Sequence, residues 1–132
     1  DQIPGNQRLR TISFVGEVFP LTTTANGMAC LSRISPKAAH ALIASEWDRR
    51  GMEGDMAKME RTLADIRQNR LDYDEDNHTV GISAIGFAFS DLSGDVIAIS
   101  IPVPTTRFVE KRKLVEEALR KTALHIDKLM RV

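Results

Sequence analysis

The sequence is short of several features that assign proteins to common classes. It has one cysteine, Cys30, so no internal disulfide can form, and this is typical of a reducing cytoplasm. No apolar run approaches the roughly 20 residues that a membrane helix requires. The polar opening, DQIPGNQRLR, has no signal-peptide pattern. These absences predict a cytoplasmic chain without a membrane segment, and 132 residues are enough for one domain with a hydrophobic core.

Net charge is also absent. Lysine and arginine together number 18, and so do aspartate and glutamate. A domain that grips nucleic acid through its phosphates usually carries a basic patch and a positive net charge. This chain alone is therefore not expected to contact DNA.

Catalytic and metal-binding patterns are missing as well. His40, His78 and His125 are far apart, without the spacing of metal ligands. The acidic run at 71–78 lacks the glycine and final glutamate of a calcium loop, so a solvated turn is expected there. No serine or cysteine lies in a nucleophile motif. The sequence predicts no metal, no cofactor and no enzymatic activity.

What the chain does contain is a strong hairpin pattern. Two apolar runs, 81–90 and 96–101, are separated by DLSGD, a loop of turn-forming residues. Pairing Ser90 with Val96 predicts three further cross-strand pairs, namely Phe89 with Ile97, Phe87 with Ile99, and Ile85 with Ile101. Because side chains alternate between faces, these large residues share one face.

The other face of this hairpin carries only small residues: Ala84, Gly86, Ala88, Ala98 and Ser100. A bare face leaves room for a closely docked helix or for a ligand. The hairpin pattern favours the helix without excluding the ligand.

Helical patterns occupy most of the remaining chain. The expected helices cover 28–34, then a segment capped by Ser35 and reaching Trp47, then 55–68, and finally a long helix from Thr105 or Thr106 to Met130. Residues 1–6 and 9–15 resemble a strand end, a turn and a resumed strand. This opening predicts a fragment cut from a longer domain, with an exposed strand near 1–15.

Four segments in order resemble IclR-type bacterial transcription regulators. They are GEVFPLTTTANGMACLS, the run from Ile66-Arg67 to Glu75 beside the motif IR..GYA.D.EE, GISAIGFAFSDLSGDVIAISI, and PVPTTRF before the last helix. The resemblance covers nearly the whole chain. It implies an effector-binding domain with a GAF-like or profilin-like α+β fold, in which helices flank an antiparallel sheet.

Under this resemblance, residues 1–132 are an effector domain that lacks its first part. The winged helix-turn-helix that binds DNA is absent from the chain. The implied partners are a small-molecule effector, expected to be an organic acid, and further copies of the protein in a homodimer or homotetramer. An oligomerisation module without any ligand is the alternative.

The resemblance also implies an effector site. Its members, carried over by motif position, are Ala25, Asn26, Gly27, Asp74, Ala84 and Ser100. Backbone N–H groups of 25–27 would hold a carboxylate or carbonyl oxygen at a helix N-terminus, and Asp74 would accept from a hydroxyl.

The chain departs from the family motifs at several positions. Met28 replaces the usual lysine, Arg70 a glycine, Ala84 a cysteine, and Pro102 a serine. These changes predict a less polar organic acid.

Overall fold

The computed structural model describes residues 1–11 and 13–131, and this part of the chain forms an α+β fold, as predicted. The helices are α1 (Ala25–Ser32), α2 (Pro36–Arg49), α3 (Met56–Asn69) and α4 (Thr105–Met130), and the strands are β1 (Asp72–Glu75), β2 (Ile82–Ser90) and β3 (Val96–Pro104). The strands form one antiparallel sheet in the order β1-β2-β3. No helix of the described part is both long enough and apolar enough to cross a membrane.

The predicted hairpin is confirmed in its register. Ser90 lies opposite Val96, and the pairing runs without a slip to Ile82 opposite Pro104. In the connecting loop the Asp91 carboxylate accepts from the backbone N–H groups of Ser93 and Asp95. Gly94 adopts a φ of 88°, a conformation that glycine reaches without steric cost.

The face with large side chains carries the principal core. Leu71, Ile85 and Phe87 are buried there against Phe108, Val115, Leu119 and Ala123 of α4. The apolar stripe of α4 is thus covered by its own sheet. Val115 and Leu119 of this stripe therefore pack within the chain, whereas Leu129 near its end stays exposed.

The face with small side chains is covered by α1, which lies over β2 and β3. At Gly86 a Cβ atom would meet the Ile99 carbonyl oxygen at 3.1 Å and the Asn26 Oδ1 atom at 3.5 Å. Small residues are therefore needed for the close approach of this helix. Of the two interpretations of the bare face, the docked helix is the one found over these two strands.

A second core holds the helical layer together. Met28 and Leu31 of α1 pack against Ile43 of α2 and against Leu63 and Ile66 of α3. The predicted Ser35 cap is confirmed, since its side chain accepts from the backbone N–H of Ala38, and Asp55, expected as the first residue of its helix, caps α3 by accepting from the Lys58 N–H.

Three local expectations are wrong. The acidic run is not a solvated turn: its first half is strand β1, with Asp72 and Asp74 buried. Thr105 does not cap α4 but lies in its first turn, where its hydroxyl bonds Asp76 and Ser83. The described residues before α1 form no strand, and Ile12, part of the expected strand at 9–15, lies outside them.

Candidate functional site

A cleft of about 310 Å³ opens between the helical layer and strand β1. Its walls are the threonines 22–24 and Met28 on one side, Trp47 and residues 52–55 above, Lys58, Met59 and Thr62 of α3, and residues 72–74 with Asn77 at the sheet. The cleft thus lies on the sheet face that carries the small side chains, beside α1 rather than beneath it.

The threonine wall is held by one buried carboxylate, Glu46. Its two oxygens accept from the Leu21 N–H at 2.6 Å, from the Thr22 N–H at 2.9 Å and from the Thr22 hydroxyl at 2.6 Å. Burial alone would raise the pKa of Glu46, but the hydrogen bonds from Thr22 and Leu21 outweigh burial, so the pKa is lowered. Glu46 therefore stays ionised and fixes the loop before α1.

Within that wall, two neighbouring hydroxyls differ. The Thr24 hydroxyl donates to the Pro20 carbonyl and accepts from the Gly27 N–H, so it caps α1. The Thr23 hydroxyl is buried and has no hydrogen-bond partner among the described residues. A buried hydroxyl without a partner costs free energy, and this one belongs to a residue that lines the cleft.

The sheet side of the cleft carries two carboxylates, Asp72 and Asp74. They are two residues apart on β1 and opposite Gly86 and Ala84, so they point to the face that carries the small side chains. Each residue is only 7% exposed. Two aspartates buried side by side on an edge strand are unusual, since aspartate is disfavoured in strands and rarely buried unpaired.

The two carboxylates differ in how well they are satisfied. Asp74 accepts from the Asn77 N–H at 2.8 Å and more weakly from the His78 N–H, yet burial still raises its pKa. Burial raises the pKa of Asp72 to about 7; only the adjacent Tyr73 N–H opposes this, and Asp74 adds repulsion. Near neutral pH, Asp72 can therefore either donate or accept a proton.

Of the six residues predicted for the site, the cleft contains Asp74. Ala25 and Gly27 are buried in the first turn of α1, Asn26 is exposed there, Ala84 is buried on β2 and Ser100 is half-buried on β3. Register places Ala84 and Ser100 on the same sheet face as Asp74. These five residues form the layer beside the cleft and do not line it.

Close packing against Leu21 explains why a glycine is present at position 27. A Cβ atom there would collide with the backbone of Leu21, so only glycine lets the loop held by Glu46 lie against α1.

Sequence reasoning missed Thr23, Trp47, Asp72 and Glu46. Asp72 shares the face of Asp74 only because 72–75 is a strand, which its acidic sequence does not indicate. Glu46 could not be found either, since its partners lie more than 20 positions earlier in the chain. No group of three or more His, Cys, Asp or Glu side chains in the described ranges could hold a metal ion.

The sequence and the fold of the chain are similar to those of known proteins. The model of the family described as bacterial transcriptional regulator IclR, C-terminal, matches residues 1–128. The chain belongs to this family. IclR-family proteins are transcriptional regulators rather than enzymes, and the chain corresponds to their C-terminal, effector-binding domain.

Individual IclR-type relatives agree with this assignment. The chain is 33% identical over 129 residues to the HTH-type transcriptional regulator Rv1719 of Mycobacterium tuberculosis, covering 96% of this chain and 50% of that protein. It is also similar to the crystal structure of transcriptional regulator YaiJ, at 26% identity and a TM-score of 0.73, over 92% of this chain and 71% of that one. The C-terminal domain of the E. coli regulator KdgR shares the fold, with 23% identity and a TM-score of 0.71 over 93% and 78% of the two chains. The chain thus spans about half the length of Rv1719.

Proposed function

We propose that this domain binds a small organic molecule in the cleft and thereby modulates DNA binding by the regulator to which it belongs. The observation that carries this proposal is the buried Thr23 hydroxyl, left without a partner in the wall of the cleft. A ligand that reaches this hydroxyl would give it the hydrogen-bond partner that the protein does not supply. The cleft, at about 310 Å³, has the size of a small-metabolite site.

DNA contact is assigned to a part of the regulator outside this chain. The relative Rv1719 is an HTH-type regulator of about twice this length. The present chain has no net charge to attract phosphates. A ligand would act by favouring one conformation of the full regulator over another.

Among the predicted site residues, we assign ligand contact to Asp74, which lines the cleft. Ala25, Asn26, Gly27, Ala84 and Ser100 would act behind it, because they set how closely α1 approaches the sheet. The resemblance predicts that this small molecule is an organic acid.

Thr23→Val tests the proposal, because valine keeps the shape of threonine and removes only the hydroxyl. A thermal-shift library of small acids, amines and alcohols first identifies a binder. A ligand at 100 times its Kd should stabilise the domain by about 2.7 kcal/mol. Thr23→Val should then lose most of this shift and match or exceed the stability of the unmodified protein without ligand.

The matched control is Thr122→Val on α4, whose hydroxyl bonds the Ala118 carbonyl away from the cleft. It should leave the ligand response unchanged. A binder whose shift survives Thr23→Val would show that the cleft is not the site.

A second function, assembly of regulator subunits, is favoured by a separate observation. Val109, Leu114 and Leu124 of α4 are exposed on the side away from the sheet, at 90%, 62% and 64%. Apolar side chains grouped on one helix face often mark a protein interface. We propose that this face joins copies into a homodimer or homotetramer.

A further inference from the structure

We propose that the ligand of the cleft is an organic cation, a protonated amine on an apolar body, held by the carboxylates of Asp72 and Asp74. The inference rests on the proposed function and narrows its ligand class. It departs from the organic acid that the sequence motifs imply.

The charges that line the cleft disfavour an anion. Four carboxylates, those of Glu53, Asp55, Asp72 and Asp74, surround the space, whereas Lys58 is the one cationic side chain on the lining. One oxygen of the Asp55 carboxylate is already hydrogen-bonded, because it accepts from the Lys58 N–H as the cap of α3. At pH 8, where Asp72 is ionised, an organic acid entering here would meet repulsion from both aspartates at the sheet.

Asp72 is the residue that most needs a cation. It is more than nine-tenths buried, yet in the described ranges no Lys, Arg or His lies within ion-pair distance of it. Its carboxylate receives only the N–H of the adjacent Tyr73. A buried carboxylate without a partner is costly unless a positive group supplies both charge and hydrogen-bond donors.

Glu46 provides a comparison, because it is a buried carboxylate whose role is structural and whose oxygens are fully hydrogen-bonded. It is 3% exposed and receives three hydrogen bonds, with Arg50 at 3.9 Å. Asp72 has no such set of donors, although it too is buried, at 7% exposed.

The remaining walls suit the body of an amine. Met28, Met59 and Trp47 present two thioethers and an indole to the cleft. Indole faces attract cations, and methionine adapts its shape to apolar ligands. An ammonium group at Asp72 and Asp74 would therefore have its carbon chain between these three side chains.

The test compares ligands of one shape and different charge. The probes are 2-phenylethylamine, 2-phenylethanol and phenylacetate, together with hexylamine, hexanol and hexanoate. Binding is followed at pH 8 by the fluorescence of Trp47, the only tryptophan of the chain. The amine of each set should bind at least about tenfold more tightly than its alcohol, and the acid most weakly.

Asp72→Asn should remove the preference for amines while leaving the alcohols unchanged. Asp65→Asn is the matched control: it makes the same change on an exposed face of α3 outside the cleft, and it should leave the preference intact. Should Asp72→Asn fail to fold, the pH dependence of the unmodified protein provides the test. Amine affinity should rise with pH as Asp72 ionises, with Glu53, Asp55, Asp74 and Lys58 as the other titrating groups in the cleft.

The outcomes separate this inference from the proposed function. Acids that bind more tightly than amines, or amines whose affinity falls as pH rises to 8, overturn the proposed organic cation and leave a ligand-binding cleft in place. Amines that fail to bind while a neutral library compound does bind also overturn it. No response to any compound of the library overturns the proposed function, and the cation with it.

Discussion

At the scale of single residues, two buried carboxylates on the cleft side of the sheet have opposite environments. Glu46 is surrounded by donors and holds the threonine loop, whereas Asp72 is buried with one weak donor. The first should stabilise the fold, because its donors would otherwise be unpaired. The second should cost stability whenever it is charged.

Glu46→Ala should lower the free energy of unfolding by about 2–4 kcal/mol, since the buried N–H groups of Leu21 and Thr22 lose their acceptors. Urea denaturation measures this directly. Glu60→Ala, which removes only a surface contact with His40, should cost less than about 1 kcal/mol. Equal losses in the two variants would contradict the role assigned to Glu46.

Asp72 should make stability depend on pH. Its pKa is about 7 in the fold against 3.8 ordinarily, so between these values the folded protein keeps a proton that the unfolded chain has lost. Stability therefore falls as pH rises from about 4 to 7 and then levels off. Asp72→Asn should gain up to about 4 kcal/mol over the unmodified protein at pH 8 and nothing near pH 4.

Urea titrations of both proteins at several pH values give this difference, in which contributions from other titrating groups cancel. A difference that stays constant with pH would mean that Asp72 is already neutral or already paired.

At the scale of elements, the close contact between α1 and its neighbours limits what can be changed. Gly27→Ala would drive a methyl group into the backbone of Leu21, so the loop or the helix must move. We expect a loss of about 1–3 kcal/mol, measured by thermal unfolding. Gly5→Ala is the control, because its added Cβ meets only Arg10 at an ordinary 3.7 Å. A neutral Gly27→Ala would refute the close approach.

Some of these elements could be predicted from the sequence and others could not. The β2–β3 register follows from alternation alone, because a slip of one residue would turn Phe87 and Ile99 to the wrong face. Strand β1 could not be predicted, since the acidic sequence DYDE disfavours a strand and only pairing with β2 stabilises it. The motif resemblance predicted Asp74 as a site residue, and Asp74 lines the cleft. The Thr23 hydroxyl could not be found, since its lack of a partner depends on three-dimensional contacts.

At the scale of the whole molecule, both sheet faces are covered from within the chain. The remaining apolar surface of α4 is on its outer side. We expect a mass above 14.7 kDa in sedimentation equilibrium, because Val109, Leu114 and Leu124 would be buried between copies. Leu124→Glu should shift the equilibrium to monomer without loss of helix content. A concentration-independent monomer mass for the unmodified protein would defeat this expectation.

DNA binding belongs to the same scale. The chain by itself should give no operator-specific mobility shift at physiological salt, because its positive and negative charges balance. A shift that weakens steeply with added salt would instead reveal a local basic surface and overturn the assignment of DNA contact to another part of the regulator.

Strand β1 is four residues long, and its successive side chains point to opposite faces of the sheet, where they contact different parts of the molecule. Asp72 and Asp74 face the cleft, while the Tyr73 hydroxyl donates to Glu116 and Glu75 pairs with Arg112, both on α4. Arg112 also lies over the Tyr73 ring at 4.7 Å. Because these four residues share one short strand, a ligand that displaced the even-numbered side chains would also displace the odd-numbered ones. Under the proposed function, an occupied cleft would therefore act through β1 on α4, the helix whose exposed apolar side chains we propose as the subunit interface.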